Sequence, residues 1–388
     1  MPNQPRVFLH IGAMKTGTTY LQHMLRRHSD HLHAHGVTEA RRFGRPTGAV
    51  SRVLARPASA PAARPWTEMI RRSHSEAGQH LVISSEFLSY ARPQQISTLL
   101  APLAESDVEV ILTVRDQVGA IASQWQTLCR NFGDVTWPQY LKLIDPARSG
   151  DPASRAWTTY YRAQEIDRIV TDWSEAPGVS RVHVITLPHA SGTTAAADLW
   201  DTFARIIGAD HVPVDHPDSR VNPSVGQPSA RVLSDLGQRW QAAGYAARTV
   251  RPGMRPFVTE ALVPRLSVEP RPELDRPAWD FAERRNQIAV DAIERLVLSG
   301  RVTVHGSLND LDSGQRPSTL RARAQPASRR QIRAAAAALW TAAAAHATVP
   351  AGTQPWGYRA TLASTQRLIE SSQAWQEAVA TTGHVRAV

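Results

Sequence analysis

The first half of the chain alternates short apolar stretches with longer stretches of helical spacing, and this alternation limits the folds that the chain can adopt. Predicted strands cover Val7 to Ile11, Leu81 to Ser84, Val108 to Val114 and Val182 to Leu187. Predicted helices cover Thr18 to His28, Gln94 to Ala104, Val118 to Cys129, Arg155 to Trp173 and Ala195 to Ile207. Apolar strands that alternate with helices form a parallel sheet with both faces covered. We therefore predict an α/β fold in which a parallel β-sheet is flanked by helices.

Two other parts of the chain lack this alternation. Residues 41–65 are rich in Arg, Pro, Ala and Gly, and we predict an irregular excursion there. Beyond about Pro213 the strand signals fade, and helical spacing returns at Ala230 to Ala243, Ala278 to Leu298, Gln331 to Ala345 and Leu362 to Ala380. The predicted organisation is one α/β domain over residues 1–312 and a helical C-terminal extension over residues 313–388.

Composition excludes several classes of protein. The single cysteine, Cys129, excludes an internal disulfide framework and any multi-cysteine metal site. Four histidines between His28 and His35 lie close together in sequence, but no carboxylate or cysteine partners are arranged around them, so no metal site is predicted. No apolar run approaches the ~20 residues that span a bilayer. The N-terminus also lacks the layout of a signal peptide, so we expect a cytoplasmic protein with no membrane span.

The positive charge of the chain is carried almost wholly by arginine. The net charge is +10, and 42 of the 44 basic residues are arginine because only Lys15 and Lys142 are lysine. This balance suits an anionic ligand. The arginines are scattered and no nucleic-acid-binding signature accompanies them, so no nucleic-acid partner is expected. In such a chain Lys15 marks a position that retains a compact point charge.

The segment His10-Ile11-Gly12-Ala13-Met14-Lys15-Thr16-Gly17-Thr18-Thr19 places a glycine-flanked loop between the first predicted strand and the first predicted helix. Backbone N–H groups and the helix dipole make such a junction attractive to anions, and the lysine adds a full charge. A Walker A loop has its lysine directly after the last glycine. Here Lys15 precedes Gly17 by two residues, which disfavours an ordinary ATP-binding loop.

Lys15-Thr16-Gly17-Thr18-Thr19 resembles the 5′-phosphosulfate loop of sulfotransferases that use 3′-phosphoadenosine 5′-phosphosulfate (PAPS), in particular of bacterial members of an actinobacterial type. A second motif supports the resemblance, since Arg115 directly follows the third predicted strand and Ser123 comes eight residues later. In that family an arginine and a serine at this spacing hold the 3′-phosphate. The resemblance implies a P-loop-like sheet in which Lys15, Thr16, Gly17, Thr18 and Thr19 bind the 5′-phosphate, while Arg115 and Ser123 bind the 3′-phosphate.

Glu86 is the candidate general base. Sulfuryl transfer to a hydroxyl needs a base within hydrogen-bond reach of the acceptor. In related sulfotransferases a histidine or glutamate follows the second core strand, and Glu86 occupies that place after Leu81 to Ser84. The resemblance thus gives Glu86 and Lys15 catalytic roles. A helix N-cap or a solvated loop carboxylate is the alternative interpretation of Glu86, and a surface salt bridge to Asp116 is the alternative for Arg115.

The resemblance implies an enzyme that transfers a sulfuryl group from PAPS to a hydroxyl of a small-molecule or carbohydrate acceptor. The products are a sulfate ester and 3′-phosphoadenosine 5′-phosphate (PAP), and no metal is required. A natural product, a glycoside or a glycolipid is the expected kind of acceptor. Two alternatives stay open from the residues alone: a P-loop-type nucleotide kinase or NTPase, and a non-catalytic polyanion-binding protein.

These classes differ in the nucleotide that stabilises the folded chain. We expect PAP, without Mg²⁺, to raise the melting temperature by a few degrees, because a ligand at about 100 times its Kd stabilises the native state by about 2.7 kcal/mol. The measurement is a thermal-shift comparison of PAP, ADP and ATP with and without Mg²⁺. A preference for ATP with Mg²⁺ would indicate a kinase, and steep salt dependence with no preference for a 3′-phosphate would indicate a polyanion binder.

Overall fold

The computed structural model describes residues 6–73, 79–188, 193–215, 224–314, 316–347, 349, 353 and 355–382. The chain forms two compact units, each built from three segments. The first unit comprises Met1–Ala120, Tyr160–Val221 and Asp280–Arg316, and the second comprises Ile121–Thr159, Asn222–Trp279 and Pro317–Val388. The predicted boundary at residue 312 stays a prediction.

The first unit contains a six-stranded sheet in which every pair of neighbouring strands is parallel. The strands are β1 Arg6–Gly12, β2 Val37–Glu39, β3 His80–Ser84, β4 Asp107–Val114, β5 Val179–Thr186 and β6 Val302–His305. Their order across the sheet is β2-β3-β1-β4-β5-β6. Because all strands run in the same direction, the carboxyl ends of the neighbouring strands β3, β1 and β4 lie side by side. Ligands of parallel sheets bind at the carboxyl ends of the strands.

The α-helices of the described residues are α1 Thr18–Arg27, α2 Ser29–Ala34, α3 Pro46–Ala55, α4 Ala60–Ser73, α5 Pro93–Leu100, α6 Gln117–Arg130, α7 Trp137–Ile144, α8 Arg155–Gln164, α9 Ile166–Ser174, α10 Thr193–Ile206, α11 Gln227–Ala242, α12 Ala247–Phe257, α13 Arg276–Leu298, α14 Arg329–His346, α15 Tyr358–Glu370 and α16 Gln373–Thr382. Among the described residues, no helix is long and apolar enough to cross a membrane.

Helices cover both faces of the sheet, which confirms the predicted α/β fold. Apolar side chains of α3, α4, α5, α9 and α13 pack with alternate residues of the strands, including Leu9 and Val110, in one core. The intervening residues, including Phe8 and Ile111, pack with α1 and α10 in a second core on the opposite face. The strands therefore carry apolar residues on both faces, as a buried parallel sheet requires.

The second unit is helical and contains a separate set of aromatic side chains. The indole rings of Trp125 and Trp137 lie 5.4 Å apart, centroid to centroid, and those of Trp240 and Trp375 stack at 5.3 Å. The indole N–H of Trp240 donates to the Glu370 carboxylate at 2.8 Å. Helices α14, α15 and α16 thus place the C-terminal residues in this unit, together with α11 and α12.

The prediction of an irregular excursion over residues 41–65 is wrong. Helix α3 and the first six residues of α4 lie in this range, and α3 buries Val50 and Val53 in the core. Pro46 is the first residue of α3, a position where the missing N–H of proline costs nothing. The proline and glycine content concealed an apolar face that has helical spacing.

Other predicted boundaries also need correction. The sequence did not reveal β2 and β6, which have only three and four residues and pair at the two edges of the sheet. The predicted helix over Arg155 to Trp173 is two helices, α8 and α9, and the one over Leu362 to Ala380 is likewise α15 and α16. Short edge strands carry too few residues for a period-two pattern to stand out.

His10 of β1 is a buried polar residue within this sheet. Its Nδ1 lies 2.8 Å from Oγ of Ser84 on β3, and its Nε2 is buried with no hydrogen-bond partner among the described residues. Burial lowers the pKa of the His10 imidazole to about 3, from an ordinary value of 6.5. The folded chain therefore holds this ring neutral over a range of pH in which the unfolded chain binds a proton.

This difference makes stability depend on pH. Below pH 6.5 the unfolded state takes up the proton, so the free energy of unfolding should fall by up to about 1.4 kcal/mol per pH unit until the pKa of the folded state is reached. His10→Gln should remove this one-proton contribution to the slope, as measured by urea unfolding between pH 7 and pH 5. The control is His35→Gln, which replaces an exposed histidine. If the free energy of unfolding of His10→Gln kept the same dependence on pH, His10 would not be the source of that dependence.

Candidate functional site

The loop that follows β1 is joined to the neighbouring strand β4 by hydrogen bonds. The backbone N–H of Ala13 donates to the carbonyl of Thr113 at 2.8 Å, and the Thr113 hydroxyl donates to the carbonyl of Gly12 at 2.9 Å. Thr113 is fully buried. These bonds hold the start of the loop against the end of β4. Thr113 is the second-last residue of β4, and Arg115 is the first residue after this strand.

Two of the loop threonines use their hydroxyls inside the loop. Oγ1 of Thr16 donates to the carbonyl of Ala13 at 2.6 Å, and Oγ1 of Thr18 donates to the same carbonyl at 3.1 Å. The Thr16 hydroxyl also contacts the hydroxyl of Thr113. Both residues are buried, so their side chains shape the loop.

Helix α1 begins without a side-chain cap. Gly17 is its N-cap, with a φ of 86° in the left-handed region, and this residue has no side chain that could cap the helix. The first turn also contains no acidic residue. The first N–H groups of a helix have no partner within the helix, and the dipole places partial positive charge there. The loop therefore presents the features that attract an oxyanion.

Lys15 has an unusual backbone conformation for a non-glycine residue. Its φ is 71°, and the residue is half-buried. Residues held in sparsely populated regions of φ/ψ space cluster at ligand-binding sites. In sequence, Lys15 lies two residues before Gly17, the N-cap of α1.

Glu86 lies against the start of this loop. It follows β3 and opens a 3₁₀ turn over Glu86–Tyr90. A Cβ added to Gly12 would lie 3.4 Å from the Glu86 Cα, so the end of β1 lies in van der Waals contact range of Glu86. Nε2 of Gln22, on α1, donates to Oε2 of Glu86 at 3.0 Å and fixes the carboxylate. The structure thus brings Glu86 and the lysine loop together.

Arg115 is held at the beginning of α6. Its Nη2 lies 3.7 Å from Oδ2 of the buried Asp116, and Oδ1 of Asp116 accepts the backbone N–H of Gly119 at 3.0 Å. A Cβ added to Gly119 would collide with the Arg115 guanidinium, which therefore lies over the bare backbone of this residue. Nε of Arg115 is buried and has no hydrogen-bond partner in the described part of the chain. The contact with Asp116 does not satisfy the whole guanidinium.

Ser123 lies two turns further along α6 and is half-buried. It belongs to the second unit, whereas Arg115 belongs to the first. The Ser123 carbonyl accepts a hydrogen bond from Oγ1 of Thr127 at 3.0 Å. The predicted pairing of Ser123 with Arg115 on one phosphate stays a prediction.

Sequence reasoning missed the residues that support the loop from other elements. Thr113 and Gln22 are two of them, and the third is Gln164 of α8, whose Nε2 donates to the carbonyl of Met14 at 2.8 Å. Gln164 is 1% exposed, and a buried glutamine needs partners for its amide. A polar residue on the apolar face of a predicted helix was the only signal in the sequence for Gln164.

In the described residues, no group of three or more histidine, cysteine or carboxylate side chains is placed to hold a metal ion. Comparisons with protein-family models, curated proteins and solved structures give no match for the chain. The arrangement of Lys15, Glu86 and Arg115 is therefore the basis for any inference about function.

Gly119→Ala tests whether the position of Arg115 matters for binding an anion. Alanine should displace the guanidinium while favouring α6 by up to about 1 kcal/mol. We expect PAP affinity to fall about 10-fold or more, a loss typical of a displaced charge-assisted hydrogen bond, with no decrease in melting temperature. Isothermal calorimetry with PAP is the measurement, and Arg115→Ala should show a similar loss.

Gly48→Ala is the matched control, because a Cβ at this helical position in α3 would meet nothing closer than 4.0 Å. Both alanine variants should fold, and only Gly119→Ala should lose affinity. Equal PAP affinity in the two variants would contradict a role for Arg115 in binding.

Proposed function

We propose that this chain is a cytoplasmic PAPS-dependent sulfotransferase with a P-loop-like sheet, which transfers a sulfuryl group to an acceptor hydroxyl. The observation that carries the proposal is the placement of three charged residues at the ends of three neighbouring strands. Glu86 follows β3, the Lys15 loop follows β1 and Arg115 follows β4. These are the positions at which the resemblance expects the base, the 5′-phosphate loop and the 3′-phosphate arginine.

The described residues fit a nucleotide that carries two separated phosphates. The uncapped start of α1 and Lys15 supply donors and charge for one phosphate, and Thr16, Gly17, Thr18 and Thr19 would contribute backbone N–H groups. The buried, unpartnered Nε of Arg115 supports a second anion at the end of β4. Ser123 would complete that second site.

The chemistry follows from the charges that change during transfer. Bound PAPS supplies the sulfuryl group, which forms a bond to the acceptor oxygen as its bond to the bridging phosphate oxygen breaks, leaving a sulfate ester and PAP. Glu86 takes the proton of the acceptor hydroxyl, with Gln22 holding its carboxylate. Lys15 stabilises the negative charge that grows on the phosphate.

The proposal predicts that substitutions of Lys15 and of Glu86 each reduce turnover, for different reasons. Lys15→Ala should reduce turnover about 100-fold or more, because it removes a charge that acts mainly on the transition state. Glu86→Gln should also reduce turnover by about 100-fold while leaving PAP affinity unchanged, because the base does not contact the nucleotide. Transfer of radioactive sulfate from labelled PAPS to a panel of phenols, sugars and glycolipids measures turnover, and calorimetry measures PAP affinity.

Two control variants change the same residue types elsewhere. Lys142→Ala removes the only other lysine, which is exposed on α7, and Glu105→Gln neutralises an exposed carboxylate before β4. Both should retain turnover and PAP affinity. Near-normal turnover in Lys15→Ala would refute the role of Lys15, and absence of PAP binding by the unaltered chain would refute the proposed function.

A further inference from the structure

Beside Glu86 lies a cluster of three side chains, Phe87, Tyr90 and Arg162, which we term the aromatic–arginine cluster. Phe87 and Tyr90 belong to the 3₁₀ turn that Glu86 opens, and their rings stack with centroids 5.3 Å apart. The Arg162 guanidinium, from α8, lies 4.5 Å from the centroid of the Tyr90 ring. All three residues belong to the first unit. The candidate base is therefore followed at once by an aromatic surface that carries a cation.

The cluster is attached to the lysine loop through Met14. The Tyr90 hydroxyl donates to Sδ of Met14, and Gln164, two residues after Arg162 on α8, donates to the Met14 carbonyl at 2.8 Å. Met14 directly precedes Lys15. The same short stretch of α8 thus holds the loop and places Arg162 beside it.

Arg162 differs from the arginines near it in how its charge is used. Arg168 contacts both Glu165 and Asp172 at 2.9 Å, and Arg92 lies 3.6 Å from Glu165. Arg162 is exposed, and within the described part of the chain it has neither a carboxylate within 4 Å nor a hydrogen-bond acceptor. Its recorded contact is the face of Tyr90. Stacking uses the flat face of a guanidinium and leaves its in-plane N–H donors available.

The charges of Arg162 and Glu86 both act on the phenol of Tyr90. Burial is the largest effect on this hydroxyl and raises its pKa; Arg162 lowers the pKa, and the Glu86 carboxylate raises it. The two opposite charges therefore lie within electrostatic reach of one buried group. Glu86 and Tyr90 are the two ends of one 3₁₀ turn and Arg162 packs on the Tyr90 ring, so an acceptor with its hydroxyl at Glu86 can extend along this turn toward Arg162.

We propose that Arg162 recognises an anionic group on the acceptor, so that the preferred substrates are hydroxyl compounds carrying a carboxylate, phosphate or sulfate close to the reacting hydroxyl. This inference rests on the proposed function and specifies its substrate class. A planar guanidinium binds such a group through two parallel hydrogen bonds. The Tyr90 ring holds the guanidinium in place, which reduces the side-chain entropy lost on binding. Phe87 supplies an apolar surface for the carbon skeleton of the acceptor.

Matched pairs of acceptors test this inference. One pair is 4-hydroxybenzoate and 4-hydroxybenzamide, which share a shape and differ in charge, and the other is glucuronate and glucose. We expect the unaltered enzyme to favour the anionic member of a pair in kcat/KM. Arg162→Met should lower kcat/KM for the anionic member about 10-fold or more and leave the neutral member unchanged. For the anionic member, kcat/KM of Arg162→Lys should lie between the values of the unaltered enzyme and Arg162→Met, because lysine keeps the charge without the planar pair of donors.

The control is Arg295→Met, which removes an exposed arginine from α13, the helix that precedes β6 in the chain. It loses the same charge from the whole protein and should leave both members of each pair unaffected. In Arg162→Met, the methionine is unbranched and can still pack on the Tyr90 ring. A purely structural role for Arg162 would lower the activity with anionic and neutral acceptors alike.

A binding measurement keeps this inference separate from the proposed function. Each acceptor is titrated into PAP-saturated enzyme by calorimetry, with the unaltered chain and Arg162→Met. Tighter binding of the anionic members, lost in Arg162→Met, supports the inference. If PAP binds but the anionic and neutral members bind or react equally, the inference is overturned and the proposed function stands. If neither PAP binding nor sulfuryl transfer is found, the proposed function itself fails.

Discussion

The candidate site depends on the hydrogen bonds that join the loop after β1 to the end of β4. Thr113 receives the Ala13 N–H and donates to the Gly12 carbonyl, so one buried residue of β4 sets the path of the chain into α1. A buried backbone group without a partner costs free energy comparable to a lost hydrogen bond, so these bonds confine the loop to a narrow range of paths. The positions of Lys15 and of the start of α1 follow from that path.

The loop divides its polar groups between structure and binding. The hydroxyls of Thr16 and Thr18 are engaged with the Ala13 carbonyl, whereas the start of α1 has no side-chain cap. A loop that is already held in one conformation loses little entropy when a ligand binds to it. The same principle applies to Glu86 in its proposed role as base, because Gln22 holds its carboxylate. Preorganised charges of this kind are effective in transferring a charged group.

Periodicity predicted the central part of the fold well, because β1, β3, β4 and β5 are apolar on both faces and α1, α6 and α10 have clear apolar stripes. It failed for α3 and α4, where proline and glycine suggested irregular chain, and for the short edge strands β2 and β6. At the site, the Lys15 loop could be found from its glycines and lysine after a strong strand, whereas Glu86 and Arg115 were singled out by the family resemblance at positions that follow strong strands. Gln22 and Arg162 lie on helices in positions with no local signal, and Gln164 was marked only as a polar residue on an apolar helix face. Only long-range packing brings these three residues to the site.

By itself the sequence determined which segments become strands and helices, and therefore which charged residues stand at strand ends, because these properties depend on neighbours within a few residues. Only the tertiary structure decided which strands are neighbours, with β1 between β3 and β4, and so brought Glu86 against Gly12 and Thr113 against the loop. It also decided that Arg162 lies on Tyr90, although these residues are far apart in the chain. Such contacts come from the packing of whole elements, which no local pattern encodes.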